Sequence, residues 1–349
     1  MDMMIYGANG YTGELIVREA VRRGLGPVIA GRSAARLKPL ADELRLEFRV
    51  FQAADALNHL DGIRTVLNCA GPFSYTVGPM TEACLANRAH YVDITGEIPV
   101  LAHCHELDAR ARDAGVILCP GAGFDVVPTD CLAASLKQRK PDAVSLNLAL
   151  SFGTKPSVGT AKTMIEGMKQ GGMVRRDHLL TRVPEAASLR RIPFPQGKRW
   201  SASAPYGDVY TAEITTNIPN ITVFLATPLP GGILMRAANP LRPFLASAFM
   251  QKRLTRLVER SFKGGPDAQA RAGQRTEFWG EALDANGRGV SLGFTAPNVY
   301  ALTVDTALEI AMHCIEQKGR AGFYTPSLLM GADFVTSRPG VTRMLEAKR

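Results

Sequence analysis

The sequence lacks the patterns that define several large classes of protein. Its 349 residues contain no uncharged apolar run of 18 residues, so we expect no membrane-spanning helix. The six cysteines form no CxxC pair and no histidines stand at zinc-binding spacing, so we expect no metal site. A GxSxG segment is missing, and no tyrosine is followed four positions later by lysine. These absences argue against acyl transfer by serine and against tyrosine-based carbonyl reduction.

The composition is that of an ordinary globular protein, with 46% hydrophobic and 21% charged residues. The formal net charge is +9, but the basic residues are scattered and no basic run is interleaved with aromatics. Nucleic acid is therefore not an expected partner, whereas anionic ligands and membrane surfaces remain open. No leader segment precedes the first predicted strand and the cysteines lie in apolar stretches, so we expect a cytoplasmic protein.

The clearest motif is the stretch Met3–Gly13, MMIYGANGYTG. Its four apolar or aromatic residues predict a strand, the glycines that follow predict a tight turn, and Glu14–Arg23 has the apolar spacing of a helix. In such a turn the missing side chains let a pyrophosphate reach backbone N–H groups at the positive end of the helix. The order strand, glycine turn, helix therefore predicts a dinucleotide site, rather than a surface turn that happens to be rich in glycine.

Short apolar runs alternate with helical stretches as far as residue 120, which predicts a parallel sheet of the Rossmann type. After the second predicted strand an NAD enzyme usually carries a carboxylate that holds the ribose 2′-hydroxyl. This chain has Arg32 and Ser33 there, 19 and 20 positions after Gly13. Because a guanidinium pairs with a phosphate through two parallel hydrogen bonds, we predict NADP as the cofactor.

Other predicted strands end in residues suited to the same ligand. Asp55 follows the third strand, where it contacts the adenine edge or caps the helix Ala56–Leu60. Small residues follow the fourth strand and let the backbone approach the cofactor. The predicted cofactor contacts are Gly7, Asn9, Gly10, Tyr11, Thr12, Gly13, Arg32, Ser33, Asp55, Cys69, Ala70, Gly71 and Phe73.

Four segments carry a resemblance to a known family: GANGYTG, CAGPF, YVDITGE and GFDVVPTD, in this order. They resemble the saccharopine dehydrogenase-like oxidoreductases. Later segments, among them IPNIT and EFWGE, are similar to the branch of trans-acting enoyl reductases in lipid biosynthesis. The resemblance implies an NADPH-dependent enzyme. It also implies a second domain whose antiparallel sheet lines the active-site cleft and joins subunits, so a homodimer is expected.

We predict a Rossmann domain over residues 1–130 and an α+β substrate and dimerisation domain over 131–319, with 320–349 returning to the first. In the second domain, a helix is predicted at Gly159–Lys169 and a polar turn at Arg175, Arg176 and Asp177, followed by strands at Val209–Thr216 and Ile221–Ala226. A hairpin is predicted to turn at Asn286-Gly287. Such a mixture of strands with few crossover helices predicts a largely antiparallel sheet.

The segment Pro228–Phe262 is rich in Leu, Phe, Met and Ala and is interrupted by basic residues. From Phe244 onward it predicts an amphipathic helix with a basic face that includes Lys252 and Arg256. Three interpretations stay open: a helix packed on its own domain, a contact with a partner, or a peripheral contact with a membrane or lipid-like substrate.

The chemistry that fits these motifs is hydride transfer, for which the protein must provide a proton donor. Asp125, Tyr206 and Lys155 are the candidates, but a structural role is favoured for each, and for Asp125 that role is to cap the helix that follows it. We expect reduction of a C=C, C=O or C=N bond in an apolar, acyl- or polyketide-like substrate. The alternatives are an amino-acid imine reductase using Arg175 and Arg176, and a non-catalytic NADP-binding sensor or interaction protein.

Overall fold

The structure is a computed structural model that describes residues 2–153, 171–245, 247–261, 273–316 and 320–346, together with 267, 269 and 271. Its contacts divide the chain into two units. The first comprises Met1–Phe124 and Tyr300–Leu329, and the second Asp125–Val299 and Met330–Arg349. The predicted boundaries were 130 and 320, so the returning segment begins earlier than predicted, at Tyr300. Residues after Leu329 belong to the second unit.

The first unit is built on a seven-stranded parallel sheet in the order β15-β6-β5-β4-β1-β2-β3. Its strands are Met3–Tyr6 (β1), Val28–Gly31 (β2), Phe48–Val50 (β3), Thr65–Asn68 (β4), His90–Asp93 (β5), Ile117–Cys119 (β6) and Gly322–Phe323 (β15). Its helices are Tyr11–Arg22 (α1), Ala34–Leu44 (α2), Val77–Asn87 (α3), Ile98–Glu106 (α4), Asp108–Ala114 (α5), Val299–Glu316 (α11) and Pro326–Met330 (α12), with short 3-10 helices at Ala53–Asn58 and Phe73–Tyr75.

Burial explains why this unit folds as a doubly covered sheet. All four residues of β1 are buried, as are those of β2 and β4, as expected for strands with helices on both faces. α1 contributes an apolar stripe of Ile16, Val17 and Ala20, all of which are buried. The Rossmann-type fold predicted for this part of the chain is confirmed.

The second unit is built on a nine-stranded mixed sheet in the order β10-β11-β12-β7-β13-β14-β16, with β8 pairing both β12 and β9. The strands are Ser145–Phe152 (β7), Gly172–Arg176 (β8), Leu179–Val183 (β9), Leu189–Phe194 (β10), Gly197–Ser203 (β11), Asn220–Ala226 (β12), Arg275–Leu283 (β13), Gly289–Pro297 (β14) and Leu345–Glu346 (β16). Only the β7–β12 pair is parallel among these described strands. The largely antiparallel α+β character predicted for this domain is confirmed.

The helices of the second unit are Val127–Arg139 (α6), Asp208–Thr216 (α7), Leu229–Ala237 (α8), Arg242–Leu245 (α9) and Ala248–Ser261 (α10), with 3-10 helices at Asn239–Leu241 and Val335–Ser337. α6 carries an apolar face that includes Leu132 and Leu136, and these side chains lie against Gly280 of β13. Gly280 therefore lets helix and sheet approach closely.

Two local predictions in this unit are wrong. Val209–Thr216 was predicted to be a strand but forms helix α7, in which the Thr216 hydroxyl donates to the Ala212 carbonyl at 2.5 Å. Arg175 and Arg176 were predicted to lie in a turn but end strand β8, and the turn begins at Asp177 with φ of 46°. The helix predicted over 159–169 and the candidate Lys155 lie outside the described residues.

Candidate functional site

The glycine turn between β1 and α1 depends on close backbone contacts that leave no room for side chains. Gly7 has a φ of 81°, and a Cβ there would lie 2.8 Å from the Ala70 nitrogen. A Cβ on Gly13 would lie 2.3 Å from the Gly7 carbonyl oxygen. The first position needs left-handed backbone as well as space, and the second lets α1 start directly against the turn.

The turn is also fixed to the neighbouring strand. The N–H groups of Gly7 and Ala8 donate to the Ala30 carbonyl of β2 at 2.8 and 3.2 Å. Gly10 precedes α1 as its N-cap and supplies no side-chain hydrogen bond to the first helical turn. The predicted contacts Gly7, Asn9, Gly10, Tyr11, Thr12 and Gly13 thus form one continuous segment at the positive end of a helix, where an anion is favoured.

Arg32 lies where β2 ends, next to the ends of β1 and β3. Burial raises the pKa of Tyr6; the Arg32 charge offsets part of this rise, and the Asp55 charge adds to it. Arg32, which follows β2, and Asp55, in the 3-10 helix after β3, therefore both act electrostatically on the same tyrosine. The Arg32 side chain is exposed and makes no ion pair with any described residue. It is an uncompensated cation close to the predicted dinucleotide turn.

Asp55 does not act as the helix cap that the sequence also suggested. It lies in the first turn of the 3-10 helix Ala53–Asn58, whose N-cap is Gln52. Its N–H donates to the Gln52 carbonyl at 2.8 Å, and its side chain is exposed. The capping alternative is therefore wrong, and the carboxylate remains accessible at this edge of the sheet.

The loop after β4 is held by Glu97, which the sequence did not identify as a site residue. Glu97 Oε1 accepts from the Phe73 N–H and Oε2 from the Ser74 N–H, both at 3.0 Å. The buried Asn68 accepts from the Ala70 N–H at 3.0 Å and donates to the Thr76 hydroxyl at 3.0 Å. The predicted contacts Cys69, Ala70, Gly71 and Phe73 are thus all on a loop clamped at both ends.

Cys69 is partly buried, and burial raises the pKa of its thiol, with a further increase from the Asp93 charge. Since the thiolate is the nucleophilic form, this environment gives Cys69 no nucleophilic character at neutral pH. Its position suits packing beside the cofactor rather than chemistry.

A fully buried carboxyl group, Asp93, joins the ends of three strands. One of its oxygens accepts from the N–H groups of Thr95 at 3.0 Å and Gly121 at 2.9 Å, and the other accepts from the Tyr91 hydroxyl at 2.8 Å. Burial raises the pKa of Asp93 to about 6 in spite of these donors. Tyr91 in turn accepts from Asn68 at 3.2 Å, so β4, β5 and the loop after β6 share one hydrogen-bond network.

Helix α11, from the far end of the chain, fixes the loop that follows β6, whose residues 120–124 read PGAGF. The Phe124 N–H donates to the Thr303 hydroxyl at 3.0 Å, and the Thr306 hydroxyl donates to the Ala122 carbonyl at 2.8 Å. The same helix places the Tyr300 ring edge-on against the ring of Tyr11, the first residue of α1, with the ring centroids 4.9 Å apart. No local sequence pattern predicts these contacts, because they join residues far apart in the chain.

The two candidate proton donors come together in the second unit. The side chains of Asp125 and Tyr206 are both partly buried. Burial raises the pKa of Asp125 to about 6. Burial also raises the pKa of Tyr206 well above its usual value, and the charges of Asp125 and Asp208 raise it further. At neutral pH Tyr206 is therefore neutral, whereas Asp125 changes its protonation close to the physiological range.

A capping role for Asp125 is not observed, because the N-cap of α6 is Val126 and no side chain caps that helix. Two further carboxyl groups nearby were missed by the sequence reasoning. Asp208 is fully buried, and burial raises its pKa well above the usual range, with contributions from Asp130 and Asp125. Asp130 is also fully buried and accepts from the Thr215 hydroxyl at 2.5 Å.

Arg175, one of the two cations considered for binding a substrate carboxylate, is engaged in the fold. Its guanidinium donates to the Val209 carbonyl at 3.0 Å and to the His178 carbonyl at 2.6 Å, and it lies 3.5 Å from Glu213. Only 7% of the side chain is exposed. Arg175 therefore links β8 to α7, and in this geometry its guanidinium is not available to bind a ligand.

Among the residues that the structure describes, no group of three or more His, Cys, Asp or Glu side chains is arranged to hold a metal ion. Within the same residues, none of the helices combines the length and apolar character needed to cross a bilayer.

Comparison with known proteins places this geometry in context. Residues 3–119 match the family model of the saccharopine dehydrogenase NADP-binding domain. The chain is 26% identical over 234 residues to the saccharopine dehydrogenase-like oxidoreductase of Mus musculus, covering 58% of this chain and 53% of that protein. It is 28% identical over 182 residues to a protein of Mycobacterium tuberculosis named as a trans-acting enoyl reductase, covering 47% of this chain and 43% of the relative. The chain thus spans about half the length of these curated relatives.

Among solved structures, the apo saccharopine dehydrogenase (L-Glu forming) of Saccharomyces cerevisiae matches 99% of this chain and 100% of its own, with a TM-score of 0.67 and 9% identity. At this identity the match concerns the fold alone. This structural match, together with the family model, agrees with the glycine turn, the parallel sheet and the second, mixed-sheet unit described above. Residues 3–119 are thus an NADP-binding domain of the saccharopine dehydrogenase type, and the resemblance of the chain to the saccharopine dehydrogenase-like oxidoreductases, which its motifs predict, is confirmed.

Proposed function

We propose that this protein is an NADPH-dependent oxidoreductase that reduces a C=C, C=O or C=N bond in an apolar, acyl- or polyketide-like substrate. The observation that carries the proposal is the exposed Arg32, which forms no ion pair with a residue that the structure describes, beside a glycine turn in which added side chains would meet the backbone. Such a site fits a dinucleotide with a 2′-phosphate. The name of the Mycobacterium tuberculosis relative supports the choice of substrate class.

In this proposal each group has one task. The reduced cofactor supplies the hydride when it is bound. The protein supplies the proton that completes the reduction, from the Asp125 carboxyl group or from the Tyr206 hydroxyl beside it. The raised pKa of Asp125, about 6, supports this assignment because it keeps part of the group protonated near neutral pH.

We also propose that the protein is cytoplasmic and binds peripherally to anionic membrane surfaces through its segment 228–262. Six large apolar side chains of helices α8 to α10 and their connection are between 53% and 70% exposed: Ile233, Leu234, Leu241, Phe244, Phe249 and Leu257. From residue 214 to residue 258 the sequence contains no Asp or Glu but five basic residues after Pro228.

The described side chains of this segment combine apolar exposure with positive charge. Lys252, Arg253 and Arg256 of α10 are exposed, and the Arg253 guanidinium lies 5.0 Å from the Phe249 ring centroid. Exposed apolar side chains flanked by cations, with no Asp or Glu between residues 228 and 258, complement the acyl boundary and the phosphate headgroups of a bilayer. The side chains of 258–261 and residue 262 lie outside the described residues.

The cofactor assignment predicts the behaviour of Arg32→Glu. We expect the Kd for NADPH to rise by about 100-fold, because a charge-assisted pair worth about 1.5–3 kcal/mol is lost and a repulsion replaces it. NADH lacks the 2′-phosphate, so its Kd should stay within about threefold. Calorimetric titration of both cofactors measures these Kd values.

Arg22→Glu, an exposed charge reversal at the other end of α1, is the matched control. An equal loss of affinity for both cofactors would show that Arg32 does not contact the 2′-phosphate.

The reaction is tested by following NADPH absorbance with panels of enoyl, keto and imine substrates. We expect turnover with apolar enoyl or keto compounds. Below pH 6 the rate should be independent of pH, and above it the rate should fall about tenfold per pH unit as Asp125 loses its proton. Asp125→Asn should abolish this dependence.

Tyr206→Phe provides the matched comparison. Because the pKa of Tyr206 is raised well above its usual value, this variant should lower the rate without moving the pH profile. Tight NADPH binding with no oxidation by any panel member would favour the non-catalytic sensor instead. A rate that rises between pH 5 and 7 would contradict the role of Asp125 as proton donor.

Membrane binding is tested by co-sedimentation with vesicles of phosphatidylcholine alone and of phosphatidylcholine mixed with phosphatidylserine. We expect binding to the anionic vesicles only, and a loss of about 30-fold or more for Lys252→Glu/Arg256→Glu, since each basic residue near such a surface contributes about 1 kcal/mol. Arg176→Glu/Arg182→Glu, also exposed in the second unit, is the control. If the two double variants bind the anionic vesicles equally, the proposal of membrane binding is contradicted. The segment 228–262 would then be assigned to a protein contact.

A further inference from the structure

A cavity of about 390 Å³ opens in the mixed sheet of the second unit, lined in part by β10, β11, β13 and β14. It involves none of the residues assigned above to the cofactor, the proton donors or the membrane-facing segment. Its lining combines three cations with one indole, one carboxylate and one hydroxyl: Arg190, Arg191, Lys198, Trp279, Glu281 and Ser291.

Strand pairing explains why these side chains meet. In the β13–β14 hairpin, Glu281 is directly opposite Ser291, and Trp279 lies two residues from Glu281 on the same face. In the β10–β11 hairpin, Arg191 is opposite Trp200 and Lys198 is opposite Pro193. The cavity is therefore formed by two hairpins, whose pairing fixes its lining rigidly.

The charges in the cavity do not cancel. The Arg190 guanidinium donates to Glu281 at 2.8 Å and lies 5.2 Å from the centroid of the Trp279 ring. Arg190 and Glu281 thus neutralise each other. Arg191 and Lys198 form no ion pair with any residue in the described ranges. Two positive charges remain, which favours a negatively charged ligand.

Two buried polar atoms provide an independent observation. Trp279 is 1% exposed and Ser291 is 6% exposed. The Trp279 indole nitrogen and the Ser291 hydroxyl oxygen have no hydrogen-bond partner among the described residues. Buried polar groups are nearly always satisfied in folded proteins, so two such groups in the lining of one cavity indicate a ligand that accepts hydrogen bonds. Indole N–H is a donor only, and a hydroxyl can donate, which suits an oxyanion.

We propose that this cavity is a second ligand site, which binds a small molecule through a phosphate or carboxylate group. The indole N–H and the Ser291 hydroxyl donate to the oxyanion, while Arg191 and Lys198 balance its charge. Arg190, whose charge Glu281 balances, is held over the indole. The site is independent of the proposed oxidoreductase activity, because its residues belong to neither the cofactor turn nor the proton-donor pair.

The chain offers a direct reporter for this site. It contains two tryptophans, Trp200 and Trp279, and Trp200 is 40% exposed. In a Trp200→Phe background, fluorescence therefore reports on Trp279 alone. Inorganic phosphate and succinate are titrated separately, with potassium chloride at the same ionic strength as the reference.

We expect a saturable change in Trp279 emission with phosphate, succinate or both, and the tighter of the two identifies the ligand class. Adding Arg191→Gln/Lys198→Gln should weaken this binding by about tenfold or more, because two charge-assisted contacts are removed. Arg176→Gln/Arg182→Gln removes the same charge elsewhere in the second unit and should leave the titration unchanged. Circular dichroism of each variant verifies that the fold is retained.

Two results would overturn the proposal. One is Trp279 emission that responds to phosphate and succinate no more than to chloride, which would mean that water alone satisfies the buried donors. The other is a saturable response that both double variants retain equally, which would place the anion outside this cavity.

Discussion

The close approach of α1 to β1 is the constraint on which the cofactor site depends. A Cβ at Gly13 would stand 2.3 Å from the Gly7 carbonyl oxygen, so only hydrogen fits between helix and turn. The same approach brings the start of the helix, with its N–H groups and its positive dipole end, to the carboxyl edge of the sheet. The proposed contact of Arg32 with a 2′-phosphate depends on this turn, because the turn fixes where a dinucleotide would lie.

Other contacts keep that edge in place. Asp93 links three strand ends from a fully buried position, and Glu97 clamps the loop after β4. α1 itself is joined to the far end of the chain, because Arg23 donates to Asp305 at 2.6 Å and to Glu309 at 2.9 Å on α11. Residues from Tyr300 to Leu329 therefore belong to the first unit although they follow the whole second unit in sequence.

The carboxyl edge of the parallel sheet is well predicted from the sequence because local patterns determine it. These patterns are the buried apolar strands, the glycines of the turn and the residues that directly follow each strand. It fails where long-range packing decides. Val209–Thr216 has the β-branched composition of a strand, yet it forms a helix that packs on α6. Asp55 and Asp125 both stand where a helix cap is plausible, but the caps are Gln52 and Val126. The hairpins from β8 to β11, and with them the cavity around Trp279, could be found only from strand pairing.

The central claim is that the Gly7–Gly13 turn holds the NADP pyrophosphate. It is tested most directly by calorimetric titration of NADPH into the wild type and Gly13→Ala, with Gly26→Ala as a control, since a Cβ at Gly26 would meet nothing within 4 Å. Urea unfolding verifies that all three proteins are folded. We expect wild-type affinity for Gly26→Ala and no measurable binding for Gly13→Ala. Wild-type affinity in a folded Gly13→Ala protein would contradict the claim.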